Sequence, residues 1–296
     1  MDQATQLRNI IKNTQPQKPL ARVITVTSGK GGVGKSNTAI NLAILFKKMG
    51  QRVIILDADF GLANIEIMFG AIPKHNLVDL IYQGKNIKEV ITWGQGDVGF
   101  ISGGSGIASL SNLTKEQLAY IIKNLAELDS IADVIIVDTG AGISDAVLEF
   151  LVASGEILLV TTPEPTSITD SYSLLKALNR HPLFDAEHTI VRVIANKVGN
   201  EAEGQNLFTK LNAVVSRYLK MSISYLGSVP QDNALSNAVM QQTPVTIQSP
   251  TAKSALAYEK MAAKLMNKTE AQAVNKRGMA AFFKNIISKK IAEGGM

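Results

Sequence analysis

The sequence contains no cysteine, a single tryptophan and no apolar run long enough to span a bilayer. Without cysteine the chain can form no disulfide and supplies no thiol nucleophile and no cysteine-ligated cluster. A membrane-spanning helix needs about 20 mostly apolar residues, and no window reaches that length. The amino terminus also lacks the basic segment followed by an apolar run that marks a secretory signal. These absences predict a cytoplasmic protein.

The overall amino-acid composition is typical of a globular protein. Hydrophobic residues make up 46% of the 296 residues, which allows one large α/β core with tails, or at most two modest domains. The formal net charge of +5 is compatible with binding to nucleic acid or to an anionic membrane surface. The positions of the basic residues must decide between these partners, and a visible share of them lies near the carboxyl terminus.

A glycine-rich segment near the start, Ser28–Ser36, has the spacing of a phosphate-binding loop. It follows the apolar, β-branched run 22–27 and precedes apolar residues at helical spacing. Glycine allows the tight turn that brings backbone N–H groups to phosphate oxygens, and the helix beginning near Lys35 adds its positive dipole end. Lys35 would reach the β- and γ-phosphates, and the Ser36 hydroxyl would ligate Mg²⁺. An ordinary glycine-rich turn is the alternative.

An additional lysine in this loop, Lys30, makes the segment resemble the deviant phosphate loop of the MinD/ParA group of ATPases. In that family the lysine crosses to the nucleotide of a second subunit, so the resemblance implies an ATP-dependent homodimer. A solvated lysine beside a basic loop is the alternative. The resemblance covers about residues 22–266. It implies an α/β fold with a single doubly wound, mostly parallel sheet, helices on both faces and ATP at the carboxyl ends of the strands.

Carboxylates stand at the ends of two further apolar runs. Asp57 and Asp59 follow the run 52–56, and Asp138 closes the run 133–138. The resemblance implies that Asp59 orients or activates the attacking water, as expected for phosphoryl transfer. It also implies that Asp57 lies close to the Mg²⁺ shell and that Asp138 holds Mg²⁺ through water. A solvated loop carboxylate is the alternative for Asp57 and Asp59, and more so for Asp57.

Further nucleotide contacts are implied by the resemblance. Gly142 can contact the γ-phosphate through its N–H, although its segment has Gly140 where many relatives have proline. The resemblance implies that Asn196 contacts adenine. A guanine-binding motif would have an acid where this chain has Gly199, so the residues favour adenine over guanine. The segment 162–166 resembles part of the family's dimer face, although a proline-stiffened connection explains it almost as well.

The predicted nucleotide-binding residues are Gly29, Lys30, Gly31, Gly32, Val33, Gly34, Lys35, Ser36, Asn37, Gly142, Asn196, Pro230 and Asp232. The predicted metal ligands are Ser36, Asp57 and Asp138. The predicted catalytic residues are Asp59, Lys30 and Lys35. ATP or ADP and Mg²⁺ are the expected cofactors.

The amino-terminal segment, residues 1–21, reads as a short helix and a linker ahead of the ATPase domain. Its residues Gln3, Leu7 and Arg8 belong to a stretch that resembles the amino-terminal motif of the FlhG family of flagellar regulators. In that family the motif stimulates an FlhF-type GTPase, so the resemblance implies this GTPase and flagellar assembly proteins as partners. A floppy tail or a helix docked on the protein's own core is the alternative.

The carboxyl-terminal segment, residues 279–296, follows a linker at 267–278 and reads as an amphipathic helix with lysines beside its apolar face. Its apolar residues at helical spacing are Met279, Phe282, Phe283, Ile286 and Ile287. Because we expect the core to be complete before residue 267, we expect this helix to bind an anionic membrane surface. Docking on this protein or on a partner is the alternative.

These features together predict an ATPase switch that controls flagellar number or placement, in the cytoplasm and reversibly at the inner face of the cell membrane. ATP would drive dimerisation and membrane binding, and hydrolysis would release the monomer. A ParA-type DNA-partitioning ATPase stays open, but the apolar-faced tail makes nucleic acid the less expected partner. A MinD-like division-site regulator also stays open, although residues 2–8 speak against it.

Overall fold

The computed structural model describes residues 20–59, 64–104, 115–267, 278–279 and 281–282. The strands are β1 (Arg22–Ser28), β2 (Val53–Ala58), β3 (Thr92–Trp93), β4 (Gly99–Ile101), β5 (Val134–Ala141), β6 (Glu156–Thr161), β7 (Ile190–Val198) and β8 (Ser224–Pro230). In this part of the chain they form one eight-stranded sheet with the order β3-β4-β2-β5-β1-β6-β7-β8. Every neighbouring pair is parallel except β3 and β4, which pair antiparallel. The predicted single, mostly parallel sheet is confirmed.

Helices cover both faces of this sheet. They are α1 (Lys35–Lys48), α2 (Asn64–Phe69), α3 (Leu77–Tyr82), α4 (Ile87–Val90), α5 (Lys115–Ala126), α6 (Leu128–Ile131), α7 (Asp145–Ala153), α8 (Pro165–Arg180), α9 (Glu201–Leu219), α10 (Asn233–Met240), α11 (Val245–Gln248) and α12 (Lys253–Met266). A short 3-10 turn, Gln95–Asp97, precedes β4.

Each central strand contributes to two apolar layers, because successive side chains of a strand point to opposite faces. In β1, Ile24 packs in the layer with α1 and α12, whereas Val23 packs in the layer with α3, α5 and α7. A third cluster joins β6 and β7 to α8 and α9. Strands that are buried on both faces read as continuous Val/Ile-rich runs, which is why the sequence located them.

The order of the strands reverses around β1. From β1 the chain extends towards β2 and β4 on one side, and it later returns to place β6, β7 and β8 on the other. In open α/β sheets ligands bind outside the carboxyl ends of the strands at such a reversal. The glycine-rich loop between β1 and α1 lies at this point.

Some element boundaries differ from those expected. The strand expected to close at Asp138 continues to Ala141, because Ala141 pairs with Ser28 of β1. Residues 70–96 contain α3 and α4, which the sequence reasoning did not predict, and Asn76 and Asn86 cap these helices through capping boxes.

The expectation that the core is complete before residue 267 is wrong. Met279 and Phe282 are helical and are 0% and 1% exposed in the same apolar cluster as Val23 and Ile54. The Phe282 ring lies 6.0 Å from the Phe150 ring of α7. For these two residues the alternative, docking on the protein's own core, is what the structure contains.

The remaining residues predicted for the two ends of the chain lie outside the described residues: Phe283, Ile286 and Ile287 of the tail, and Gln3, Leu7 and Arg8 of the amino-terminal segment. Among the helices that the structure describes, none has both the length and the hydropathy that a membrane crossing requires.

Candidate nucleotide-binding site

The phosphate-binding loop predicted from the sequence connects β1 directly to α1. Gly34 stands immediately before α1 and adopts φ +98°, a conformation that strains other residues. A Cβ at Gly34 would lie 2.3 Å from Nδ2 of Asn196, so glycine is also required by the close approach of the end of β7. Lys35, Ser36 and Asn37 form the first turn of α1, and the backbone N–H groups of this turn can bind an anion.

Two carboxylates lie side by side beneath this loop. Because β2 and β5 are adjacent, Asp57 pairs in register with Asp138. Both residues are buried, with 2% and 0% of their surface exposed. The sequence placed each acid at a strand end, and the sheet brings the two together.

Burial raises the pKa of Asp57 to about 8, and the charge of Asp138 adds to the rise. Hydrogen bonds from the backbone N–H groups of Asp59 (3.1 Å) and Ile65 (3.4 Å) oppose it. The two neighbouring carboxylates therefore resist being ionised together, as expected for like charges in a site of low dielectric constant.

The carboxylate of Asp138 fits the predicted metal site. Burial raises its pKa to about 6, whereas the Ser36 hydroxyl and the Lys35 ammonium group favour the charged form. Neither Asp138 oxygen has a well-formed hydrogen bond to the described residues. A buried carboxylate without such a partner, next to a serine hydroxyl, supplies the hard oxygen donors that Mg²⁺ prefers. Ser36 and Asp138 are thus suitably placed for a metal bound to a nucleotide.

Asp59 lies next to this pair and is half-buried. One of its oxygens accepts a long hydrogen bond of 3.4 Å from Asn64 Nδ2. Its other oxygen lies 3.7 Å from the position that a Cβ on Gly140 would occupy. Asp59 therefore faces the segment 139–142 across the site, where a catalytic carboxylate would be needed, and its role with water stays a prediction.

Lys30 contacts its own chain. Its Nζ donates to Glu164 Oε2 at 2.6 Å and to Thr166 Oγ1 at 2.9 Å, at the start of α8. This hydrogen bond holds the pKa of Glu164 below its usual range. The side chains of Lys30 and Glu164 are 37% and 58% exposed, so the ion pair is weak. The predicted contact with a second subunit would require Lys30 to leave Glu164.

Gly142 does not present a free N–H to a phosphate in this structure. Its N–H donates to the backbone oxygen of Ser28 at 3.0 Å, because β5 continues beside β1 to this point. The γ-phosphate contact implied by the resemblance is therefore absent from this conformation. It would require the segment 139–142 to move.

Asn196 supports the loop in this structure. Its Nδ2 donates to the backbone oxygen of Val33 at 2.7 Å, and its Oδ1 accepts from the N–H of Lys197 at 2.9 Å. Both ends of the amide are therefore engaged by the protein, and the contact with adenine stays a prediction.

Lys197 is a functional candidate that the sequence reasoning missed. It adopts φ +58°, and its Nζ donates to the backbone oxygen of Gly32 at 2.8 Å. Together with Asn196 it fastens the end of β7 to the phosphate-binding loop. The sequence feature that could have identified Lys197 is its position directly after Asn196, at the end of an apolar strand.

Asp232 serves mainly to hold two helices. Its carboxylate accepts from Ala234 N at 2.9 Å, and from the N and Oγ of Ser254 at 3.0 and 2.8 Å. Burial alone would raise the pKa of Asp232, but these hydrogen bonds keep it below its usual value. The predicted nucleotide contact at Pro230 and Asp232 would thus have to use backbone groups, and it stays a prediction.

Comparisons with known proteins agree with this geometry. A family model described as "ParA: NUBPL iron-transfer P-loop NTPase" matches residues 19–266. The chain contains no cysteine that could carry iron. The chain is 42% identical over 244 residues to the antiactivator FleN of Pseudomonas aeruginosa. This alignment covers 82% of this chain and 86% of FleN.

A second relative is the flagellum site-determining protein YlxH of Helicobacter pylori. The chain is 32% identical to it over 297 residues, covering 97% of this chain and 98% of YlxH. The structure of the septum site-determining protein MinD from Pyrococcus horikoshii OT3, complexed with Mg-ADP, matches with a TM-score of 0.66. That match has 21% identity and covers 86% of this chain and 99% of MinD. The chain therefore belongs to the MinD/ParA family of P-loop ATPases and, within it, to the FleN/YlxH group of flagellar regulators.

Proposed function

We propose that this protein is an ATP-driven switch that controls flagellar number or placement by moving between a free monomer and a membrane-bound dimer. ATP brings two copies together around two nucleotides, the dimer binds the inner face of the membrane through its tail helices, and hydrolysis releases the monomers. The similarity to YlxH, a flagellum site-determining protein, favours this function over the DNA-partitioning and division-site alternatives. The observation that supports the nucleotide-driven part is the buried Asp138 carboxylate beside Ser36 and Lys35 at the phosphate-binding loop.

The nucleotide site supports phosphoryl transfer. The loop and Lys35 bind the phosphates, and Ser36 and Asp138 hold Mg²⁺. Bound Mg²⁺ supplies positive charge to the phosphate oxygens. Asp59 positions the attacking water from its place opposite the segment 139–142. Hydrolysis is weak in the monomer because its nucleotide is not contacted by Lys30 of the partner subunit. The monomer's own Lys30 contacts Glu164 instead.

Dimerisation transfers Lys30 from Glu164 to the nucleotide of the second subunit. The pair that breaks is exposed and weak, whereas the phosphates offer several negative charges within a less solvated interface. The exchange therefore needs no large input of energy beyond nucleotide binding. ATP has the γ-phosphate that ADP lacks, so the exchange favours the ATP-bound state.

Membrane binding competes with docking of the tail. The residues predicted to enter the membrane include Met279 and Phe282, which in this structure lie in the core. Full burial of such a side chain is worth roughly 1.5–3 kcal/mol, so the docked monomer has little to gain from a bilayer. Two tails on one dimer act at high effective concentration, which favours the membrane in the ATP-bound state.

Liposome pelleting tests the membrane part of this proposal. We expect Ile287→Glu to abolish pelleting with anionic vesicles in ATP, because it puts a charge on the predicted apolar face, while ATP hydrolysis in solution stays nearly unchanged. Ser288→Glu adds the same charge at the neighbouring position, which the pattern places off that face, and should still pellet. Equal pelleting by both variants would contradict the proposal.

The amino-terminal segment supplies the contact with an FlhF-type GTPase, through Gln3, Leu7 and Arg8. A synthetic peptide of residues 1–20 should raise the rate of GTP hydrolysis by such a GTPase, and a peptide with Gln3→Ala should not. If both peptides stimulate equally, Gln3 has no part in this contact.

A further inference from the structure

Asp129 lies where the two described ends of the chain meet. It belongs to α6, a short helix at the edge of the apolar layer that contains the docked tail. Its Oδ1 accepts a hydrogen bond from the N–H of Ala21, at 3.3 Å, just before β1. Both of its oxygens also accept from the N–H of Met279, at 3.0 and 3.2 Å, in the docked tail. One carboxylate thus holds the start of the ATPase domain and the start of the tail helix.

Gly278 completes this contact. It adopts φ +68°, and a Cβ there would lie 2.7 Å from Asp129 Oδ2 and 2.9 Å from Cδ2 of Leu20. Leu20, Asp129 and Gly278 therefore pack together with no space for another side chain. The residue that joins the amino-terminal segment to the domain is in direct contact with the residue that begins the tail helix.

The chemistry of this contact makes docking depend on Asp129. The first N–H groups of a helix have no partner within the helix, so a buried helix start needs an acceptor from elsewhere. Met279 is fully buried, and a carboxylate supplies a charge-assisted hydrogen bond to its N–H. Ala21 is also fully buried and shares the same carboxylate, so each end of the chain helps to hold Asp129 in place for the other.

We propose that Asp129 is a positioning residue that couples the two ends of the chain. Release of the tail removes one donor from Asp129 and the contact between Gly278 and Leu20, and so loosens the attachment of Leu20 and Ala21, through which the amino-terminal segment joins the domain. Conversely, a partner that pulls on residues 1–19 weakens docking of the tail. Coupling of this kind is reciprocal between the two sites. The assignment of a GTPase to one end and a membrane to the other rests on the proposed function above.

Hydrogen exchange of the full-length, nucleotide-free chain tests the coupling without any membrane or partner. The variants are Asp129→Ala, the conservative Asp129→Asn and, as a control, Glu127→Ala, which removes an exposed carboxylate two residues away. The readouts are exchange in peptides covering residues 20–24 and 278–283. Loss of hydrogen bonds to a charged acceptor should make Asp129→Ala exchange roughly tenfold faster or more in both peptides. Asp129→Asn keeps one acceptor oxygen and should lie between Asp129→Ala and the wild type.

Gly278→Ala provides a second route, since it perturbs only the tail side. It should speed exchange in peptide 278–283 and also in peptide 20–24, while peptides from β5 stay protected and ATP affinity is unchanged. Acceleration confined to 278–283 would overturn the coupling. Unchanged exchange of both peptides in Asp129→Ala would overturn the role of Asp129.

A vesicle arm separates this inference from the proposed function. With vesicles of phosphatidylglycerol and phosphatidylethanolamine, Asp129→Ala should pellet in ATP at a lower protein concentration than the wild type and Glu127→Ala. If exchange rises in both peptides but neither the wild type nor any variant pellets in saturating ATP, the coupling through Asp129 stands and the membrane part of the proposed function fails.

Discussion

The paired carboxylates of β2 and β5 give the metal-free protein an unusual dependence of stability on pH. The pKa of Asp57 lies at about 8 in the folded protein, against 3.8 for an ordinary aspartate, chiefly because the carboxyl is buried and also because Asp138 is beside it. The perturbation that isolates this effect is Asp57→Asn. An asparagine, like a protonated aspartate, keeps one carbonyl oxygen for the hydrogen bond from Asp59 or from Ile65, and it carries no charge at any pH.

The sign of the effect follows from proton binding. Between about pH 4 and pH 8 the unfolded carboxyl has lost its proton while the folded one keeps it. The folded state therefore binds more protons, and the free energy of unfolding falls as the pH rises through this range. One pKa unit corresponds to about 1.4 kcal/mol, so ionised Asp57 costs the metal-free folded state on the order of 5 kcal/mol.

Thermal unfolding in the presence of a chelator measures this cost. A chain of this size gains roughly 2–4 °C in Tm per kcal/mol. We expect Asp57→Asn to melt about 10–20 °C above the wild type at pH 8 and only about 3–7 °C above it at pH 5. Glu187→Gln, which changes an exposed carboxylate, should follow the wild type at both pH values. If the wild type and Asp57→Asn lose stability equally between pH 5 and pH 8, Asp57 does not carry the effect.

Three further predictions follow from other contacts. Lys30→Ala should lose ATP-dependent dimerisation, measured by light scattering on a sizing column, before it loses ATP affinity; loss of both together would assign Lys30 to the nucleotide of its own chain. Glu164→Gln should lower the protein concentration needed for dimerisation in ATP, because it frees Lys30, and a requirement for more protein would contradict this. Glu156→Gln should cost about 3–5 kcal/mol in urea unfolding, because it removes the buried carboxylate charge that both Arg22 and Arg192 contact, and a change below about 1 kcal/mol would refute this reasoning.

Local sequence determined most of the fold. The buried strands are continuous apolar runs, and the helix after the loop has apolar residues at helical spacing, so both could be located without knowledge of their neighbours. The phosphate-binding loop was equally plain, because its glycines, Lys35 and Ser36 act within one short segment. Lys30 narrowed this loop to the kind found in the MinD/ParA group.

The tertiary structure decided the contacts between distant residues. That Asp57 lies beside Asp138, and shares the rise in pKa, follows only from the placement of β2 next to β5. The engagement of Gly142 with Ser28 and of Asn196 with Val33 likewise depends on which strand ends meet at the loop.

The tail helix also shows the difference between what sequence and what tertiary structure determine, and here the difference bears on function. Sequence determined that residues 279–296 have an apolar face, because helical periodicity is a local property. It could not determine what covers that face, because an apolar face gains from burial in lipid and in a protein core alike. The packed layer around Phe150 and the carboxylate of Asp129 settled this for Met279 and Phe282, which lie in the core of the protein.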